Sequence, residues 1–234
     1  YPFGDYSPKN FFVSEHAMKV FLSAQRIMKA YPNTPVKIMV SGPSGYGKTS
    51  IAKLYADGNE LNYLRMNCAM IRDPEEWFGH REARDGSTIF VQSRFIETVR
   101  EGNVVIVLDE FNRLEPDLHN TLYPLLDHDA ATFVYDQEFA VGPNTLFVAT
   151  INTGREYTGI FELDAANMNR FDLFLEVGVI PQTHEIDILM NRFPITLGTA
   201  TEIVKLAAKI RSTIDVHCSI RTTLAVAKIV ATGM

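Results

Sequence analysis

The chain has 234 residues, 46% of them hydrophobic and 21% charged, with a formal net charge of −6. That length buries a large core in one large domain or two small ones, and the acidic balance argues against broad electrostatic attachment to nucleic acid or anionic lipid, while leaving room for a local basic pore or groove. No apolar run approaches the roughly 20 residues that cross a bilayer, and no basic-then-apolar signal peptide opens the chain, so a cytoplasmic setting is the default.

The first helical pattern covers 14–31, with Met18, Phe21, Leu22, Gln25 and Met28 on one face, and Pro32 and Pro35 end it. The apolar run Val36-Lys37-Ile38-Met39-Val40 then leads into Gly42-Pro43-Ser44-Gly45-Tyr46-Gly47-Lys48-Thr49, and a helix follows with Ile51, Leu54 and Tyr55 facing inward. A strand, a glycine-rich loop closing on Gly-Lys-Thr and a helix read as a phosphate-binding loop. Its glycines let backbone N–H groups turn around phosphate oxygens, and the helix N-terminus near Lys48 adds partial positive charge. The Lys48 ammonium reaches the terminal phosphates, and Thr49 offers its hydroxyl to Mg2+. Gly42, Pro43, Ser44, Gly45, Tyr46, Gly47, Lys48, Thr49 and Ser50 are therefore the expected nucleotide-binding set.

Asp57-Gly58-Asn59 turns the chain into a strand over 61–66, giving β-α-β order. Beyond it come a Trp77-Phe78-Gly79 turn, a polar turn at Arg84-Asp85-Gly86, a strand over 88–91 and a helix over 94–100; Asp-Gly between extended residues is a hairpin signal. The runs 104–108, 145–150 and 173–177 read as further strands, the first so uninterrupted that it predicts burial on both faces. Strands alternating with helices predict an α/β fold with a parallel sheet.

After Ile180-Pro181 the pattern is helical only, which divides the chain into 1–181 and 182–234. Ile186, Leu189, Met190 and Phe193 form one apolar stripe, and Ile203, Leu206, Ala207, Ile210 and Ile214 another. Thr199 and Glu202 have capping-box spacing, and Ser219 is placed to cap a third helix. Tyr1 in place of an initiator Met, and Met234 within a helical pattern, read as a segment of a longer polypeptide. Cys68 and Cys218 lie far apart without metal-ligand spacing and read as reduced, buried thiols. None of the 6 histidines has zinc-like or nucleophile-base spacing.

Asp109-Glu110 ends the 104–108 strand, placing two carboxylates at the carboxyl edge of a parallel sheet, where such folds bind ligands. One acid can hold Mg2+ through water while its neighbour orients and polarises the attacking water. The adjacent pair favours nucleotide hydrolysis over binding alone, and so counts against a non-hydrolysing assembly scaffold. A GTPase switch would need an Asn-Lys-x-Asp-like motif, and there is none. A nucleic-acid-dependent motor is disfavoured by the acidic balance.

Leu108-Asp109-Glu110-Phe111-Asn112-Arg113, followed by a helix through His119-Asn120-Thr121-Leu122-Tyr123-Pro124-Leu125-Leu126-Asp127, resembles AAA+ ATPases of the MoxR class, nearest to the CbbQ/NorQ and cobaltochelatase ATPase-subunit types in the broad dynein-related group. Trp77-Phe78-Gly79, Arg84-Asp85-Gly86, Ala149-Thr150-Ile151-Asn152, Gly154-Arg155-Glu156-Tyr157-Thr158-Gly159, Leu163-Asp164-Ala165-Ala166 and Asn169-Arg170-Phe171 carry the resemblance further. It implies a P-loop module with a five-stranded parallel sheet flanked by helices and a small, truncated helical lid. It also implies Mg2+-dependent ATP hydrolysis, a hexameric homo-oligomeric ring, and remodelling or activation of a partner protein, often one with a von Willebrand A-type domain.

Residue by residue, Asn152 resembles the sensor-1 polar residue that feels the terminal phosphate. Arg170 resembles the arginine finger that enters the next subunit's site, a surface ion pair being the alternative. Arg221 resembles the sensor-2 arginine of the lid, with Ser219-Ile220 where a small-Pro pair is more usual. Arg113 is open between an intersubunit arginine and a helix-start residue. Segments 81–91 and 132–143 resemble the family's inserted hairpins, whose Phe90, Phe133 and Tyr135 either face a pore or partner or pack on their own domain.

Overall fold

The computed structural model describes residues 2–5, 10–135, 137–153, 161, 163, 168–213 and 218–233. Helix α1 (Glu15–Ala30) starts where Ser14 accepts a hydrogen bond from the Ala17 N–H at 3.1 Å, and it turns Ala17, Val20, Phe21, Ala24 and Met28 inward. Strand β1 (Val36–Gly42) and helix α2 (Lys48–Gly58) flank the glycine-rich loop, and β2 (Asn62–Asn67) follows. A short helix α3 (Glu75–Phe78) stands where a Trp-Phe-Gly turn was expected; it leads into β3 (Gly79–Arg84) and β4 (Ser87–Gln92), then α4 (Arg94–Glu101), β5 (Val104–Asp109) and α5 (Pro116–Leu126). Next come β6 (Ala131–Val134), β7 (Gln137–Ala140), β8 (Thr145–Asn152) and β9 (Leu173–Glu176), and finally α6 (Gln182–Arg192), α7 (Leu197–Arg211) and α8 (Ile220–Ala231).

The main sheet has five strands in the order β2-β5-β8-β1-β9, all paired in parallel. Every residue of β5 is buried, as its unbroken apolar run requires for a strand covered by helices on both sides. One face packs Ile106, Leu108 and Phe147 against Trp77, Phe95, Phe111 and Leu122; the other packs Val105, Val107 and Val148 against Phe21, Ile51 and Tyr55. The parallel register sets Gly42 beside Asn152 and Asn67 beside Asp109, so β1, β5 and β8 deliver their last residues to one edge.

The β3–β4 hairpin turns through Asp85 and Gly86, with φ of 49° and 79°, the two positive values that a tight two-residue turn demands. The β6–β7 hairpin lies beside it. Phe90 meets Tyr135 and Phe139 edge-on or tilted, with ring centroids 5.3 and 5.8 Å away, and Arg81 sits over the Tyr135 ring. These aromatics therefore pack the two hairpins together, whereas Phe133 is 73% exposed.

The C-terminal helices close a small separate cluster around Leu189, Ala200, Val204 and Ala227. Three details correct the sequence expectations. Met190 and Leu206 are exposed, whereas Leu189 and Ala207 are buried and Ile186, Phe193 and Ile203 pack against the cluster as expected; Glu185 and Ile188 on α6 and Ala200 and Val204 on α7 complete the inward faces. Helix α7 is capped by Thr196, which accepts from the Thr199 N–H at 3.2 Å, so the helix starts one turn before the expected Thr199–Glu202 box. Ser219 holds the N-cap position of α8 without a side-chain capping bond. Both cysteines are buried and unbridged. Gly154-Arg155-Glu156-Tyr157-Thr158-Gly159, Asp164-Ala165-Ala166 and Ile214 lie outside the described residues.

Candidate active site

The glycine-rich loop is held open by its own backbone. Gly45 and Gly47 adopt φ of 83° and 86°, and a Cβ on Gly45 would come within 2.5 Å of the Ser219 Oγ, one on Gly47 within 2.9 Å of the Phe11 ring. Gly47 is also the N-cap of α2 and offers no side chain to its first-turn N–H groups, which leaves those donors for an anion. Gly42 makes room for a neighbouring strand instead, since the β9 end passes so close that a Cβ there would reach 2.1 Å from the Val177 carbonyl oxygen.

Around this loop lies a cavity of about 270 Å3, lined by Ser44, Gly45, Tyr46, Gly47, Lys48, Thr49, Ser50, Asp109, Glu110, Asn152 and Arg221 among others. Most of the expected site residues thus meet in one place. Gly42 and Pro43 stand behind the lining, where their carbonyls each accept from Lys48 Nζ at 2.8 Å. The third acceptor of that ammonium is Asn152 Oδ1 at 2.9 Å. Burial lowers the Lys48 pKa to about 8, against the pull of Asp109 and Glu110 and with the push of Arg221.

Asn152 reaches in two directions, since its Nδ2 donates to Glu110 Oε1 at 3.1 Å. Its main chain is fixed by Asn112, whose Nδ2 donates to the Asn152 carbonyl at 3.0 Å. Glu110 sits in the left-handed region at φ 55° and ψ 44°, a conformation that costs a residue with a side chain about 1 kcal/mol or more and turns its carboxylate off the strand. Its N–H donates to Thr150 Oγ1 at 3.1 Å, and its other carboxylate oxygen lies 3.6 Å from Arg113, which ends a short 3-10 turn.

Asp109 Oδ1 accepts from Thr49 at 2.9 Å and Thr150 at 2.5 Å, and Oδ2 accepts from Arg65. Burial alone would raise this carboxyl, but the bonds from Thr150, Arg65 and Thr49 outweigh it and hold the group below its usual range. A hydroxyl bonded directly to a carboxylate, beside a phosphate cradle, is an oxygen donor set that suits Mg2+ with water and phosphate completing its shell. Among the described residues no cluster of three or more His, Cys, Asp or Glu offers an alternative metal site.

Arg170 is absent from this cavity's lining. It is 2.9 Å from Asp127, and its guanidinium carbon is 3.9 Å from the centre of the Tyr123 ring. Arg221, by contrast, lines the cavity from the first turn of α8.

Several lining or supporting residues escaped the sequence reading. Thr150 and Asn112 look like ordinary strand and turn residues until the register of Leu108 with Ala149 brings β5 and β8 together. Phe11, Phe12, Ile180, Ile188 and Leu224 give the cavity an apolar end, assembled from segments distant in sequence. Glu185, fully buried, takes a two-pronged ion pair from Arg211 at 2.7 Å on each oxygen and a 2.7 Å bond from Thr223. Arg211 also donates to the Cys218 carbonyl, which accepts from the Tyr46 hydroxyl of the loop.

Residues 37–171 match the AAA domain (dynein-related subfamily). The chain is 28% identical over 212 residues to a protein named as chaperone BssE from Thauera aromatica, covering 89% of this chain and 74% of that one. It is 33% identical over 158 residues to midasin of Dictyostelium discoideum, which covers 66% of this chain but only 3% of midasin. Among solved structures, RuvB of Thermotoga maritima, titled a Holliday junction branch migration motor, superposes with a TM-score of 0.62 at 17% identity, covering 93% of this chain and 61% of that one. No helix among the described residues is long and apolar enough to cross a membrane. With more than half its length matched, the chain belongs to the dynein-related subfamily of AAA domains and is an ATP hydrolase of the P-loop AAA fold.

Proposed function

We propose that this chain is a MoxR-class AAA+ ATPase that binds ATP with Mg2+ between a nucleotide domain (1–181) and a helical lid (182–234), works as a hexameric ring in the cytoplasm, and remodels or activates a partner protein. The observation that carries the reading is the convergence of Lys48, Asn152 and Glu110 in one hydrogen-bonded line beside the Thr49–Asp109 pair.

In this mechanism Lys48 exchanges the carbonyls of Gly42 and Pro43 for phosphate oxygens, a stronger, charge-assisted contact. Thr49 and Asp109 would hold Mg2+, which when bound would supply charge neutralisation at the outer phosphates. Asn152 holds Glu110 toward the attacking water. Glu110 takes a proton from that water as its oxygen bonds to the terminal phosphorus and the bridging oxygen departs with ADP. The apolar end lined by Phe11, Phe12 and Ile180 suits a base. Arg221 completes the site from the lid, and Arg170, held outside this cavity by Asp127 and Tyr123, serves the neighbouring subunit's site.

A protein partner is favoured by the likeness to a chaperone-named relative and by the acidic balance of the chain, which disfavours a nucleic-acid track. A partner with a von Willebrand A-type domain fits the class. The test is affinity capture with the Glu110→Gln chain, loaded with ATP and Mg2+, alongside light scattering. A ring-sized species that retains a protein partner only with ATP is the expected result. A chain that stays monomeric with bound ATP would overturn the ring, and capture of nucleic acid without protein would overturn the remodelling role.

A further inference from the structure

Arg65 belongs to none of the sequence motifs, yet it touches the centre of the site. It stands on β2, the edge strand beside β5, where the register pairs it with Val107 and sets Asn67 beside Asp109. Its Nε donates to Asp109 Oδ2 at 2.9 Å, and its Nη2 donates to the same oxygen. Thr49 and Thr150 occupy Oδ1, so both oxygens of this nearly buried carboxylate are engaged. The arginine side chain is itself 53% exposed and lines the cavity, so it has open space to turn into.

The carboxylate that Arg65 neutralises is the one bonded to Thr49, where the proposed reaction needs a divalent cation. One carboxylate carries one negative charge, and two cations held within a few ångströms of it repel each other strongly in a partly desolvated site. Without Arg65, Asp109 Oδ2 would lose its bonded cation, and the carboxylate would keep only the two hydroxyls on Oδ1 and the unbonded charge of Lys48. A guanidinium that can swing outward solves both difficulties, because it fills the place of the metal and then yields it.

We propose that Arg65 is a placeholder cation, a positioning residue that occupies Asp109 Oδ2 in the nucleotide-free chain, releases that oxygen when the metal-bound nucleotide enters, and so sets the Mg2+ concentration at which nucleotide binds. This rests on the assignment of Asp109 and Thr49 to Mg2+.

The experiment follows binding of a fluorescent ADP to the full chain as Mg2+ is titrated from an EDTA baseline. Arg65→Gln removes the competing charge, so half-maximal binding should need about three- to tenfold less Mg2+. Arg65→Lys, a point charge without the fork, should shift the requirement in the same direction by a smaller factor, which keeps the test alive if the Gln variant misfolds. An unchanged Mg2+ requirement in both variants would make the pair incidental and overturn the proposal. A raised requirement would overturn it in favour of a direct contact between Arg65 and phosphate. Should wild-type binding ignore Mg2+ while still depending on Lys48, the metal assignment falls and the placeholder role with it.

Discussion

Asn152 donates to Glu110 through a 3.1 Å Nδ2 to Oε1 hydrogen bond, although the two residues end different strands and are 42 positions apart. The same amide accepts from Lys48, so one side chain joins the group that grips phosphate to the group that activates water. Geometry of this kind lowers the reorganisation needed at the moment of reaction.

Glu110→Gln should leave nucleotide binding nearly intact while hydrolysis falls by roughly 10²-fold or more, since an amide cannot take the proton. Asn152→Ala should slow hydrolysis by about 10- to 10²-fold by freeing Glu110 and Lys48 together. Steady-state phosphate release alongside fluorescent-nucleotide binding separates the two steps. Wild-type turnover in Glu110→Gln would mean that another group activates the water.

Lys48→Ala should weaken binding by roughly 10- to 150-fold, because the lost charge-assisted contact is worth about 1.5–3 kcal/mol with no substitute nearby. The wild-type site also has a pH signature. Burial holds the Lys48 pKa near 8, below the free value of 10.5, so the unfolded chain binds more protons than the folded one between those values. Stability of the nucleotide-free chain should therefore gain from this residue as pH rises from 8 to 10.5. ADP affinity measured in EDTA should move the other way, falling as pH passes about 8 and the ammonium is lost. Affinity flat from about pH 7 to 9.5 would contradict the assignment.

Arg170→Ala rings should bind ATP but barely hydrolyse it, with a loss of about 10³–10⁵ in rate for a finger acting in trans. Mixing Arg170→Ala subunits with Lys48→Ala subunits, under conditions that exchange rings, should restore part of the activity where an intact site meets an intact finger. Mixed rings as inactive as their parents would return Arg170 to a purely local pairing with Asp127 and Tyr123.

Glu185→Ala leaves the Arg211 guanidinium buried without its carboxylate and should cost the C-terminal helices about 3–5 kcal/mol. These helices have their own apolar cluster, so the loss should appear as faster amide exchange over 182–233 with the β1 and β5 strands still protected. Replacing Glu185 and Arg211 together with Leu and Met should recover much of that protection. Uniform exchange across the chain would show that the helices and the sheet unfold as one unit.

The phosphate loop, the acidic strand end and the parallel α/β character were legible in the residue order because each depends on local rules. Glycine spacing reports a backbone that must accept positive φ, and an unbroken apolar run reports a strand covered on both faces. The 3.6-residue period found every C-terminal helix but misjudged its inward face at Met190 and Leu206, since the pattern cannot tell which of two apolar stripes a neighbouring helix will cover. Glu185 was invisible for a related reason: a buried acid is written in the sequence like an exposed one, and its partner Arg211 lies 26 residues away.

By itself, then, the sequence determined which chemistries stand at the ends of which strands: ammonium and hydroxyl after the first, two carboxylates after the acidic one, an amide after the next. Only the tertiary structure decided which of them share an atom. Strand order and register put Asn152 between Lys48 and Glu110, and Thr150 and Arg65 on Asp109, because hydrogen-bonded neighbours in a parallel sheet are chosen by long-range packing that leaves no fixed spacing in the chain.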